Sequence, residues 1–158
     1  MPSKRSVSDH LALLLGQWFG SGRSKIAPGT VGSLGAVPLF WLLREQNLSI
    51  YWGTTLLTTL VGFWASQRCS EILDDKDPQS VVIDEVAGVL IAMGFVRAAG
   101  PAAWATAWLL FRLFDITKPG LVDRVQYCKP HGVGIMADDL LAGLVAGGLT
   151  YGGVLLLA

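Results

Sequence analysis

Five acidic residues stand where an apolar chain has least use for them. Asp84 and Glu85 open the run "IDEVAGVLIAMGF", Asp115 lies in "FRLFDITKPG", and Asp138 and Asp139 lie in "HGVGIMADDLLAG". Ionisable groups in or beside membrane helices are costly, and those retained face a cavity, a partner or an ion. Each site has a plainer reading as well. Asp84 with Glu85, or Asp138 with Asp139, can serve as helix N-caps. Arg112 and Asp115 can form an intrahelical ion pair, since Arg112, Asp115 and Lys118 follow one another at i, i+3 and share one helical face. Taken together, three acidic positions at the mouths of three apolar helices point to one shared carboxylate site.

Carboxylates gathered in low dielectric repel one another and take up protons unless a cation joins them. Oxygen-only ligands point to a hard divalent ion, Mg²⁺ before Mn²⁺ or Ca²⁺. Mg²⁺ commonly combines one or two carboxylates with a substrate phosphate, and Arg112 and Lys118 suit such an anion. The stretch "SKIAPGTVGSLGAVP" adds Gly29, Thr30, Gly32, Ser33 and Gly35 at or before a helix start, where backbone N–H groups and hydroxyls can cradle an anion. The same residues also read as a simple turn and cap, and no G-K-[ST] follows to make a Walker A loop. His131, beside Gly132 and Gly134, is either a proton donor to a leaving alkoxide or an ordinary loop histidine.

Other phosphate chemistries lack their parts. Around Cys128, "CKPHGVG" has Gly134 where a cysteine phosphatase needs arginine. Asp115 is followed by Ile116 and Thr117, so the D-x-D of an aspartyl-phosphate enzyme is missing. Two histidines, His10 and His131, do not supply a two-histidine lipid phosphatase. The spaced aspartate motif of alcohol phosphotransferases is absent too. Metal-assisted attack by water remains. A non-enzymatic alternative is a small cation-binding membrane transporter or complex subunit, which would leave the glycine-rich loop and Lys118 without a use.

The elements that must position these groups are apolar. The chain has 158 residues, 52% hydrophobic and 15% charged, with mean hydropathy +0.50. That is less charged than the roughly 25% of a soluble domain. A formal net charge of +0 removes any electrostatic case for nucleic acid. Cys69 and Cys128 lack C-x-x-C spacing, so neither a zinc site nor a disulfide framework is expected. Uncharged spans run over 26–43, 46–67, 86–96, 98–111 and 140–158. Against the roughly 20 residues a bilayer requires, Gln46 to Gln67 and Leu140 to Ala158 meet the length directly. Val81 to Val96 spans only if Asp84 and Glu85 sit near its end, and Ala102 to Phe114 only with Arg112 near an interface; both can instead be buried or re-entrant helices. Gly143 and Gly147 have the small-x-x-x-small spacing of close helix packing. Lys4 and Arg5 precede "LALLLG", but Asp9 and His10 interrupt it and no A-x-A site follows, so a retained amphipathic helix is expected. The expectation is one all-α domain over 1–158, a compact polytopic membrane helical bundle with several long and some short or re-entrant helices. Lys and Arg are spread too evenly for the positive-inside rule to orient it.

In order and character, "PGTVGSLGAVP", "IDEVAGVLIAM", "FRLFDITKPGLVDR" and "HGVGIMADDLLAG" resemble the bacterial phosphatidylglycerophosphatase A family, from about Gly20 onward. The resemblance implies a Mg²⁺-dependent, multi-pass inner-membrane enzyme of phospholipid synthesis. Its reaction would convert phosphatidylglycerophosphate to phosphatidylglycerol and phosphate, with the active site at the cytoplasmic face. Carried onto this sequence, the family's motifs fall on Asp84 and Glu85, on Asp115, Lys118 and Pro119, on Asp138 and Asp139, and on Pro28 to Ser33. Asp84, Glu85, Asp115, Asp138 and Asp139 are then the expected metal ligands and, with Lys118, the catalytic set. Gly29, Thr30, Gly32, Ser33, Arg112 and Lys118 are expected to hold the phosphate, with Asp138 or Asp139 as base.

Overall fold

The computed structural model describes residues 5–157. Lys4, and Ala158 at the end of the expected last span, lie outside the described residues. The described chain is helical, without strands: α1 Val7–Gly16, a 3₁₀ turn Trp18–Arg23, α2 Pro28–Gly35, α3 Val37–Leu43, α4 Leu48–Leu73, α5 Ile83–Gly94, α6 Pro101–Thr117, α7 Leu121–Val125 and α8 His131–Leu157.

Local chemistry explains most boundaries. Ser6 and Asp9 form a reciprocal capping box on α1, and the Asn47 side chain accepts the Ile50 N–H at 2.8 Å to start α4, as short polar caps do. Pro28 and Pro38 stand in the first turns of α2 and α3, where a missing N–H costs least. Pro38 thereby splits the apolar run over 26–43, expected as one span, into two short helices, and the Trp18 indole donates to Gly35 O at 2.9 Å beside the break. Lys118 closes α6 in a left-handed conformation, φ 43° and ψ 57°, just before Pro119, which excludes further helix.

α5 is the axis of the molecule. It packs against α2, α4, α6 and α8, and Val86, Ala87, Val89, Leu90 and Ala92 are fully buried. Tyr51 on α4 donates to Leu90 O at 2.6 Å, satisfying a buried hydroxyl that would otherwise be penalised. At the crossing of α5 and α8 the backbones meet at Gly88 and Gly143, where a Cβ on Gly143 would lie 2.5 Å from Gly88 O.

Among the described residues, one helix, α8, is long and apolar enough to cross a membrane. That narrows the expected polytopic bundle. α4 has 26 residues, but its four threonines, Arg68 and Glu71 dilute its apolar character. α5, with 12 residues, spans about 18 Å and is a core helix. The outward faces are nonetheless apolar: Leu56, Leu57 and Leu60 on α4, Leu109, Leu113 and Ile116 on α6, and Leu144, Leu149, Leu155 and Leu156 on α8 are all exposed.

Candidate active site

Three helices deliver the acids. Asp84 and Glu85 occupy the first turn of α5, whose cap residue Val82 makes no side-chain cap bond. Asp115 stands in the last turn of α6. Asp138 and Asp139 lie inside α8, two turns after its start at His131, so they do not open that helix as the sequence suggested. The capping reading fails for both pairs. Asp84 and Glu85 gain instead from the positive end of the α5 dipole.

The carboxylates converge. One oxygen each of Asp84, Glu85 and Asp139 lie within 4.8 Å of one another. Asp115 and Asp138 line the same pocket, about 190 Å³ in volume, together with Pro28, Gly29, Asp77, Gln79 and Lys118. Arg112 pairs with Asp115, so the intrahelical ion pair and the shared site both hold. Arg112 Nη2 also reaches Thr30 Oγ1 at 3.5 Å. Lys118 Nζ donates to Asp138 Oδ2 at 2.5 Å and to Gln126 Oε1 at 3.1 Å. Burial alone would lower the Lys118 ammonium, but the hydrogen bond and charge of Asp138 outweigh it and hold the group above its ordinary value.

Four carboxylate oxygens, Asp84 Oδ1, Glu85 Oε2, Asp138 Oδ1 and Asp139 Oδ2, are buried without a hydrogen-bond partner, as is the donor Arg112 Nε. Buried polar atoms are normally satisfied. Orphaned acceptors from two helices in one pocket, with Arg112 and Lys118 as nearby counter-charges, fit a hard divalent cation in both ligand type and charge.

The glycine-rich segment divides. Gly29 lines the pocket, and a Cβ there would lie 2.4 Å from Glu85 Oε1, so glycine is what admits the carboxylate. Gly32 and Ser33, expected beside a phosphate, serve packing instead. A Cβ on Gly32 would meet Val82 Cβ at 2.5 Å, and the buried Ser33 hydroxyl closes back on Thr30 O at 2.9 Å. His131 lines a neighbouring cavity with Asp138 rather than the carboxylate pocket. Sequence reasoning passed over Asp77, Gln79 and Gln126. Asp77 sits in "DDKDPQS", read as a polar connector, and only its position seven residues before Asp84 hinted at more.

A helical chain whose buried carboxylates meet beside an arginine and a lysine has the makings of a phosphoryl-handling enzyme. The chain belongs to the phosphatidylglycerophosphatase A family, whose model matches residues 14–154. It is 31% identical to the phosphatidylglycerophosphatase A of Escherichia coli K12, over 87% of this chain and 80% of that protein. To the protein of the same name from Haemophilus influenzae Rd it is 36% identical, over 84% and 82%. A Bacteroides thetaiotaomicron protein provisionally named phosphatidylinositol-3-phosphatase is 41% identical, over 85% and 87%. No solved structure matches the chain.

Proposed function

We propose that this protein is a Mg²⁺-dependent phosphatase of bacterial phospholipid synthesis. It removes the terminal phosphate of phosphatidylglycerophosphate to leave phosphatidylglycerol. The observation that carries the proposal is the set of four orphaned carboxylate oxygens in one pocket beside Arg112 and Lys118. Family membership names the lipid.

In this reading Asp84, Glu85 and Asp139, whose oxygens lie closest together, hold the ion, and Asp115 completes the acidic wall. When bound there, Mg²⁺ would supply Lewis acidity toward phosphoryl oxygens and water. Asp138 stands outside the tightest cluster, with Lys118 on Oδ2 and Oδ1 free, and is the residue suited to accept the water's proton. The free Arg112 Nε and the Lys118 ammonium stabilise charge growing on the phosphoryl oxygens. Thr30 and the first-turn amides of α2 orient the phosphate.

Membrane residence is part of the proposal. α8 crosses the bilayer, the apolar outer faces of α4 and α6 lie against acyl chains, and the site opens at the head-group level on the cytoplasmic side of the inner membrane. A lipid then presents its head to the acids without leaving the bilayer.

Purified protein in detergent, given phosphatidylglycerophosphate or phosphatidylinositol 3-phosphate, tests the reading by release of inorganic phosphate. Faster release from the first lipid, abolished by chelator, is expected. No release, or release untouched by chelator, would favour a cation-binding protein without hydrolytic activity. Preference for the inositol lipid would replace the substrate while keeping the reaction.

A further inference from the structure

A second cavity, about 400 Å³, adjoins the carboxylate pocket, and the proposed reaction gives it no task. Asp77, Ile135 and Asp138 form a wall common to both, so a molecule larger than one phosphate can occupy the two together. Their linings differ in charge. The first presents Asp84, Glu85, Asp115 and Asp139 with Lys118, and the second presents Lys76 and Lys129, with Tyr127 and His131, beside the shared Asp77 and Asp138. Lys76 comes from the connection between α4 and α5, and Lys129 from the connection between α7 and α8. Both lysines are exposed, and neither belongs to any of the ion pairs among the described residues. Their charge is therefore available to a ligand. His131, the first residue of the 27-residue α8, lines the same space.

The chemistry of the lipid calls for such a neighbour. A phosphomonoester on a polyol, joined through a phosphodiester to diacylglycerol, carries two anions only a few bonds apart. A divalent ion among the carboxylates draws in the monoester, but it leaves the diester close to an acidic wall. Lys76 and Lys129 of the adjoining cavity receive that second anion. We propose that the cavity bearing Lys76 and Lys129 binds the phosphodiester of the lipid head group, and so selects lipids with both phosphates over a simple phosphomonoester lipid. This inference rests on the lipid phosphatase reading above and adds the residues that recognise the head group.

The whole chain in detergent is compared with K76Q/K129Q and with each single variant. The quantities read are kcat and KM for phosphatidylglycerophosphate and the inhibition constant of inorganic phosphate, which occupies the monoester site alone. Two partly exposed charge contacts correspond to about a tenfold change in affinity. KM should rise about tenfold in the double variant and a few-fold in each single variant, with kcat and the phosphate inhibition constant within about twofold of the parent. An unmoved KM overturns the proposal. So does a joint rise of KM and of the phosphate inhibition constant, because the lysines would then act on the monoester site or on the bundle as a whole. A double variant that does not fold leaves the same criterion to the single variants. A parent protein that releases no phosphate from this lipid refutes the catalytic reading instead. The subsite is then read by calorimetric titration of the deacylated head group, where roughly tenfold weaker binding to K76Q/K129Q supports it and equal binding refutes it.

Discussion

Gly143→Ala should disable the protein far out of proportion to the one methyl group it adds. The new Cβ would lie 2.5 Å from Gly88 O and 3.0 Å from Gly88 Cα. Ordinary contact begins at 3.4 Å, so α5 and α8 must separate by about 0.9 Å at this point. Both obstacles are backbone, and no side chain can swing aside to absorb the strain. Asp139 lies one turn before Gly143 and Asp84 one turn before Gly88, which transmits the separation to acids now within 4.8 Å of one another. Overpacking of this kind costs about 1–3 kcal/mol in stability, and a displacement near 1 Å at a reacting centre costs about 100-fold in rate. Initial rates of phosphate release and thermal unfolding, measured in the same detergent, check both figures. Gly148→Ala is the control, because an added Cβ there meets nothing within 4 Å. It should keep the parent rate and gain up to about 1 kcal/mol in helix propensity. A Gly143→Ala protein within threefold of the parent rate, or a Gly148→Ala protein equally impaired, would refute the link between this crossing and the site.

Three further outcomes follow from the same geometry. Gly29→Ala sets a Cβ 2.4 Å from Glu85 Oε1 and 3.3 Å from Arg112 Nη2; the rate should fall at least about tenfold with little change in unfolding temperature, and parallel losses in both would point to a folding defect instead. Lys118→Met removes the ammonium from Asp138 while keeping the side chain's length, and kcat should drop by about 10²–10³ while the Mg²⁺ concentration for half-activation stays near the parent value; a shifted metal requirement with normal kcat would reverse the assignment. Asp9 is held below its ordinary value first by the Ser6 backbone N–H and then by Arg68. A lowered folded-state value means that its stabilisation is present at neutral pH and is lost as pH falls through that value. Denaturant unfolding should therefore find Asp9→Asn less stable at pH 7, with the difference closing as pH falls below the ordinary aspartate value of about 3.9; a constant difference would contradict this.

Much of the site was legible in residue types. Acids in apolar runs are rare enough that their recurrence in three helices identified Asp84, Glu85, Asp115, Asp138 and Asp139, and the geometry brings all five to one pocket. Helix ends were less legible where glycine misled. "HGVG" looked like loop, yet Gly132 and Gly134 lie inside α8 because they allow close approach to α4 and to the preceding chain: added Cβ atoms there would meet Gln67 at 2.7 Å and Gln126 O at 2.3 Å. The same blindness to packing made Gly32 and Ser33 look like anion ligands. Asp77 and Gln79 escaped notice because a polar connector gives no periodic signal, and only the fold turns it toward the acids. Spans were over-read for a related reason. Apolar composition alone does not separate the buried core helix α5 from a lipid-facing one.

The Mg²⁺ dependence of phosphate release from phosphatidylglycerophosphate, measured on chelator-stripped protein and on Asp139→Asn, decides whether a divalent ion held by the buried carboxylates carries the reaction. The stripped protein should be inactive and recover fully as Mg²⁺ is restored, while Asp139→Asn stays at least about 100-fold slower at saturating metal. Full activity after stripping, or an Asp139→Asn protein with the parent rate and the parent Mg²⁺ dependence, would contradict it.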